Sequence, residues 1–174
     1  AATNRDPNMQ FSVSDEDIHK AKWPHDLFLI NLIFNHILMF AAFLSASSLW
    51  QWVIVVPIAS LLILLYTMWR ARKSLRVDSW YVMCHWQICF KRSKMFIGMI
   101  LLMLAAIGAV LLFSGGDPGP QQIALAGAAV LPTMVMVLVL IILETESLDD
   151  ARKGRVPDSV VERYPQGRYT PVEE

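Results

Sequence analysis

Two groups of side chains in this sequence are of the types that bind ligands or move protons. The first is Cys84, His85 and Cys89. Thiolate and imidazole are good ligands for zinc or iron, but a structural zinc site takes a full tetrahedral set and usually a closely spaced Cys pair. Only these three are local, so His19 or His25 would have to complete the set. On one helix Cys84 and Cys89 point about 140° apart. That favours a structural alternative, an apolar interfacial segment with Val77, Trp80, Tyr81, Cys84 and Ile88 along one stripe.

The second group is Asn31, Asn35 and His36. Asn31 and Asn35 share a helix face, and His36 lies about 100° round the helix from Asn35. If the span starts near Leu27, His36 is ~14 Å deep by helical rise, close to the midplane. An ionisable residue there is a functional hypothesis by default. A neutral imidazole at that depth can ligate haem iron or a metal, hydrogen-bond a quinone carbonyl, or relay a proton. The structural alternative is polar glue to another helix. No second His and no carboxylate is expected at the same depth, which argues against bis-histidine haem ligation within one chain. No catalytic residue is nominated and no cofactor is demanded; haem, quinone and metal are what these groups would accept.

The elements that carry them are four apolar stretches, 27–49, 53–69, 95–113 and 123–143. Each is near the ~20 residues a helix needs to cross the hydrocarbon core. Of 174 residues 55% are hydrophobic and 17% charged. That charge content is below the ~25% of ordinary soluble domains, and mean hydropathy is +0.44. The reading is an all-α integral membrane protein, with four transmembrane helices in two hairpins and short interfacial helices on the cytoplasmic side. Residues 1–26 form an N-terminal segment, 27–143 the membrane domain with a central loop at 70–94, and 144–174 a tail. No cleavable signal is expected, since AATNRDPNMQF lacks a charged region leading into an apolar one.

All fifteen Lys and Arg residues fall outside the apolar stretches. Arg5, Lys20 and Lys22 precede the first. Arg70, Arg72, Lys73, Arg76, Lys91, Arg92 and Lys94 lie in the central loop, and five more lie in the tail. Short loops rich in Lys and Arg stay cytoplasmic, so both termini and the central loop are expected inside the cell inner (plasma) membrane. Trp23, Trp69, Trp80 and Trp86 then mark the inner interface, and Trp50 and Trp52 the outer one. The central-loop cations would face lipid headgroups or a partner subunit. Cations at a membrane rather than on a soluble face give no hint of nucleic acid.

Small residues gather in the outer halves of three helices, Ala41 to Ala46, Ala105 to Ala109 and Ala124 to Ala129, which predicts a bundle tight outside and bulkier inside. Pro57 and Pro132 are expected to kink their helices. Ser14 with Asp17 reads as the cap of a short helix through about Lys22. Glu144 and Glu146 follow the fourth stretch and are expected to pair with the Arg70 to Arg76 cluster or a partner. The end, with Tyr164 and Tyr169 among prolines, is either disordered or a docking strip laid over another protein.

Quinone-linked disulfide oxidases share four spans of this kind, but keep working cysteines in their outer loops, where this chain has none. Small multidrug exporters need a carboxylate within a span, and none is expected here. Three classes remain. The preferred one is a non-catalytic accessory subunit of a multi-subunit inner-membrane complex, respiratory or transport, contacting lipid bilayer and other membrane subunits. The alternatives are a small homo-oligomeric channel or transporter using Asn31, Asn35 and His36, and a membrane redox or lipid-handling enzyme using His36 or Cys84, His85 and Cys89.

Overall fold

The computed structural model describes residues 8–45, 48, 50–115, 117 and 119–168. It is almost entirely helical. A short strand β1 (Asn8–Gln10) leads to α1 (Asp15–Ile30), which runs on through a π-helical stretch (Asn31–Met39) into α2 (Phe40–Ser45). A 3-10 turn (Trp50–Ile54) opens α3 (Val55–Val77), followed by α4 (Trp80–Phe113), α5 (Pro120–Arg152), a strand β2 (Arg155–Pro157) and α6 (Asp158–Arg163). Four of the resulting rods, Asp15–Phe43, Gln51–Val77, Trp80–Phe113 and Pro120–Arg152, are long and apolar enough to cross a membrane.

Local chemistry sets these boundaries. Ser14 Oγ accepts the Asp17 N–H at 3.2 Å and caps α1, whose first turn carries Asp15, Glu16 and Asp17 against the helix dipole. The helix does not stop near Lys22; it continues through Pro24, which gives up one backbone hydrogen bond. Pro57 lies in the first turn of α3, where no intrahelical N–H is needed, so it does not interrupt a helix. Pro132 does lie inside α5.

The expected loop at 70–94 is instead mostly helix. α3 extends to Val77 and α4 begins at Trp80, leaving Asp78 and Ser79 as the turn. Arg70 clamps that turn with a two-pronged contact to Asp78, at 2.7 and 2.9 Å, and its guanidinium stacks over Trp86. Trp80 through Cys89 are buried without interruption rather than laid on a surface.

α4 is the central rod and packs on α1, α3 and α5. The core has two parts. One, at the end of the bundle that holds the α3–α4 turn, gathers Trp80, Tyr81, Cys84 and Trp86 with Ala21, Ala71 and Ala151. The other continues along the rods through Phe28, Leu32, Leu64, Cys89, Phe96 and Leu140. Beyond it, from Leu101 to Pro132, no described residue of α4 or α5 is buried. The expectation of a tight outer half therefore fails. Close approach happens at Ala21, Ala71 and Ala151, each fully buried. Large apolar side chains such as Leu102, Phe113, Leu125 and Leu131 stand exposed, as lipid-facing residues would.

The first and last described segments meet at this same end of the bundle. β1 and β2 pair antiparallel, with Met9 opposite Val156, and α6 packs on the first core through Val160, Val161 and Tyr164. Trp80 Nε1 donates to the Tyr164 carbonyl at 2.7 Å, and Tyr81 donates its hydroxyl to the Ala151 carbonyl at 2.9 Å. The tail up to residue 168 is thus folded on its own chain, neither disordered nor a free strip, because Val156, Val160 and Val161 supply an apolar edge. Tyr169 lies outside the described residues.

Candidate metal centre

Core-facing positions recur along α5 as Thr133, Val137, Leu140, Glu144, Ser147 and Ala151. This spacing of three and four keeps one helix face inward, and it turns the carboxylate of Glu144 into the bundle. In α1 the inward row is Ala21, His25 and Phe28, continued by Leu32 in the π-helical stretch. In α4, His85, Cys89 and Arg92 stand four and three residues apart on one face. The three rows meet at the boundary between the two core clusters.

There His25 Nδ1 lies 2.6 Å from Glu144 Oε2 and 3.3 Å from Cys89 Sγ, and Cys89 Sγ is 3.6 Å from the same Glu144 oxygen. One ligand atom from each of His25, Cys89 and Glu144 falls within 4.8 Å of the others, and all three residues are buried. His25 Nε2 faces His85 Nδ1 at 2.9 Å, and among the described residues His85 Nε2 is buried without a hydrogen-bond partner. Arg92 Nη1 sits 3.0 Å from the other carboxylate oxygen of Glu144 and donates to the Leu143 carbonyl at 3.0 Å.

The roles follow from proton counting. With its proton on Nε2, His25 donates to His85 and turns the Nδ1 lone pair toward Cys89 and Glu144. Nitrogen, sulfur and oxygen donors then converge, a set that suits zinc. With its proton on Nδ1, His25 donates to Glu144 across the 2.6 Å contact instead. A cation held by His25, Cys89 and Glu144 would take the place of that proton and of the Cys89 thiol proton, both released on binding. His85 orients the ring from outside, and Arg92 holds the carboxylate, the kind of support that metal ligands receive from their neighbours. A fully buried carboxylate costs several kcal/mol unless paired; here His25 and Arg92 provide the pairing.

The structure divides the sequence candidates. His85 and Cys89 enter this cluster together with His25, whereas Cys84 turns away into the first core, following the angle between the two cysteines. Glu144 does not pair with the Arg70 to Arg76 cluster: Arg70 is held by Asp78, and Glu144 is too far inside the bundle face to reach solvent, at 0% exposure. Its inward position was readable from its place in the Val137 and Leu140 row.

Asn31, Asn35 and His36 form a separate network. Asn31 Nδ2 donates to Ser60 Oγ at 2.9 Å, His36 Nε2 lies 2.7 Å from the same oxygen, and Asn35 donates to the Val56 carbonyl at 2.8 Å. At 3.6 residues per turn His36 would be rotated away from Asn35. The wider π winding brings all three onto the α3 side. Of the remaining cations, Arg72 and Lys94 lie over Phe90, Lys73 lies over Trp69, and Arg76 lines a surface cavity with Trp69 and Val77. Lys91 and Arg92 border a groove closed by α6. Compared with models of known protein families, with curated proteins and with solved structures, the chain matches none.

Proposed function

We propose that this chain is a multi-pass protein of the cell inner membrane, both termini and the α3–α4 turn cytoplasmic, that works through a transition-metal centre at His25, Cys89 and Glu144. The carrying observation is the convergence of imidazole, thiol and carboxylate from three helices at a fully buried point. Buried ionisable groups in a membrane bundle are costly and mark function by default. This supports the metal-dependent class, redox or lipid-handling, over a channel. Asn31, Asn35 and His36 direct their polar atoms at Ser60 and Val56, which leaves little for a conduction path. A zinc-class ion would supply Lewis acidity; the chain's part is to hold it, orient His25 through His85 and fix the Glu144 carboxylate through Arg92.

Metal analysis of untagged protein after incubation with zinc tests this. One equivalent per chain is expected, lost in Cys89→Ser and Glu144→Gln but kept in Cys84→Ser. In the cobalt-loaded protein a thiolate charge-transfer band should follow Cys89 and not Cys84. A wild-type protein that retains no metal under these conditions ends the proposal. A second reading, an accessory subunit of a larger complex, is supported by the open small-residue surfaces of α4 and α5 around Gly108 and Gly127. A Cβ added at either glycine meets nothing within 4 Å, leaving room for another helix.

A further inference from the structure

α4, the end of α5 and α6 enclose a groove of about 510 Å³ with a divided lining. Lys91, Arg92 and Arg163 supply three cations, while Ile88, Met95 and Leu143 supply an apolar floor. Lys91, Arg92 and Met95 follow one another on one face of α4, so the groove leads from its charged rim directly into the apolar part of that rod. Met95 is 47% exposed, as a residue facing an acyl chain would be. Among the described residues neither Lys91 nor Arg163 has a carboxylate partner within ion-pair distance, and the Arg163 guanidinium rests over the Tyr164 ring. Arg92 is 17% exposed, with one edge on Glu144 and Leu143 and the rest toward the groove.

We infer that this groove binds one anionic phospholipid, its phosphate held by Lys91, Arg92 and Arg163 and the start of an acyl chain lying along Ile88, Met95 and Leu143. The occupant must be anionic, because Glu144 offsets Arg92 alone, and Lys91 and Arg163 leave the rim with a net positive charge that a phosphate neutralises. It must be a lipid, because the opposite wall is apolar and runs into the membrane-spanning rod, where a free phosphate gains nothing. The site is composite: α6 contributes Arg163 only because β2 and Tyr164 fold the tail back onto α4. The inference stands on the groove's own residues and holds with or without a metal at Glu144.

Native mass spectrometry from mild detergent, with added palmitoyl-oleoyl phosphatidylglycerol or phosphatidylcholine, tests it. Wild type should retain one phosphatidylglycerol per chain in preference to phosphatidylcholine. The double variant Lys91→Gln and Arg163→Gln should weaken that retention on the order of tenfold. These two residues are exposed, and Arg92 is left untouched so that Glu144 keeps its partner. The control double variant Arg72→Gln and Arg76→Gln, on the other cation cluster, should retain the lipid as wild type does. Equal loss in both variants means diffuse charge attraction and overturns the site. Displacement of the lipid by millimolar inorganic phosphate, or no preference over phosphatidylcholine, overturns the lipid assignment. Metal content measured on the same samples keeps this outcome separate from that of the metal centre.

Discussion

Glu144 shows how much one buried carboxylate organises. Its two oxygens are divided between His25 and Arg92, so removing its charge affects three helices at once. Glu144→Gln preserves shape but leaves Arg92 facing a neutral amide and gives His25 a weaker partner. Breaking one member of a buried charge pair typically costs about 3–5 kcal/mol. Thermal unfolding in detergent, without added metal, should show a loss in that range. Adding Arg92→Gln should recover part of it, since the second substitution removes the stranded cation. A Glu144→Gln protein as stable as wild type would mean that the carboxylate is not charged in the fold. Cys89, four residues after His85, needed no structure to be suspected. The pairing of Glu144 did, because it depends on which residues of α1 and α4 arrive at the same depth.

At the level of elements, the apolar stretches and the N-cap at Ser14 were legible because each depends on adjacent residues. The helical continuation through 70–94 was not. Its charges read as a loop at a lipid surface, but Arg70 and Asp78 close a two-residue turn, and Trp80 to Cys89 find a protein core to enter. The π winding at Asn31–Met39 was hidden for a similar reason: it pays off only through Ser60 on another helix. The β1–β2 pair and α6 needed contacts between the two ends of the chain. Gly154 makes that closure. It has φ +70°, and a Cβ there would stand 2.7 Å from the Phe11 carbonyl oxygen, whose residue's N–H donates to the Gly154 carbonyl at 2.8 Å. Gly154→Ala should cost about 1–2 kcal/mol from the left-handed backbone alone, with the clash added. Hydrogen exchange should quicken at Phe11 and along β1–β2 while the middle of α4 stays protected. Uniform quickening instead would mean that the strands are not a separate unit.

For the whole molecule, length explains why the core is lopsided. α4 has 34 residues, ~51 Å at helical rise, against a hydrocarbon core of ~30 Å. In the proposed membrane topology, with α4 close to the bilayer normal, some 20 Å of it stands outside the lipid tails, and the first core lies around that end. Apolar burial is driven where water is the competing solvent and not where lipid is. A dense end around Trp80 to Cys89 and an open stretch from Leu101 to Pro132 follow from this. The same end carries Arg70, Arg72, Lys73, Arg76, Lys91 and Arg92, and by the positive-inside tendency this is what the orientation proposed above, with that end in the cytoplasm, rests on. Labelling of whole cells with a membrane-impermeant maleimide checks it, and the background is low because Cys84 and Cys89 are both buried. Asp117→Cys, in the turn between α4 and α5, should label from outside. Gln166→Cys, after α6, should label only once the cells are broken. The reverse pattern would put the metal centre and the groove on the outer side, and the lipid in that groove would then have to come from the opposite leaflet.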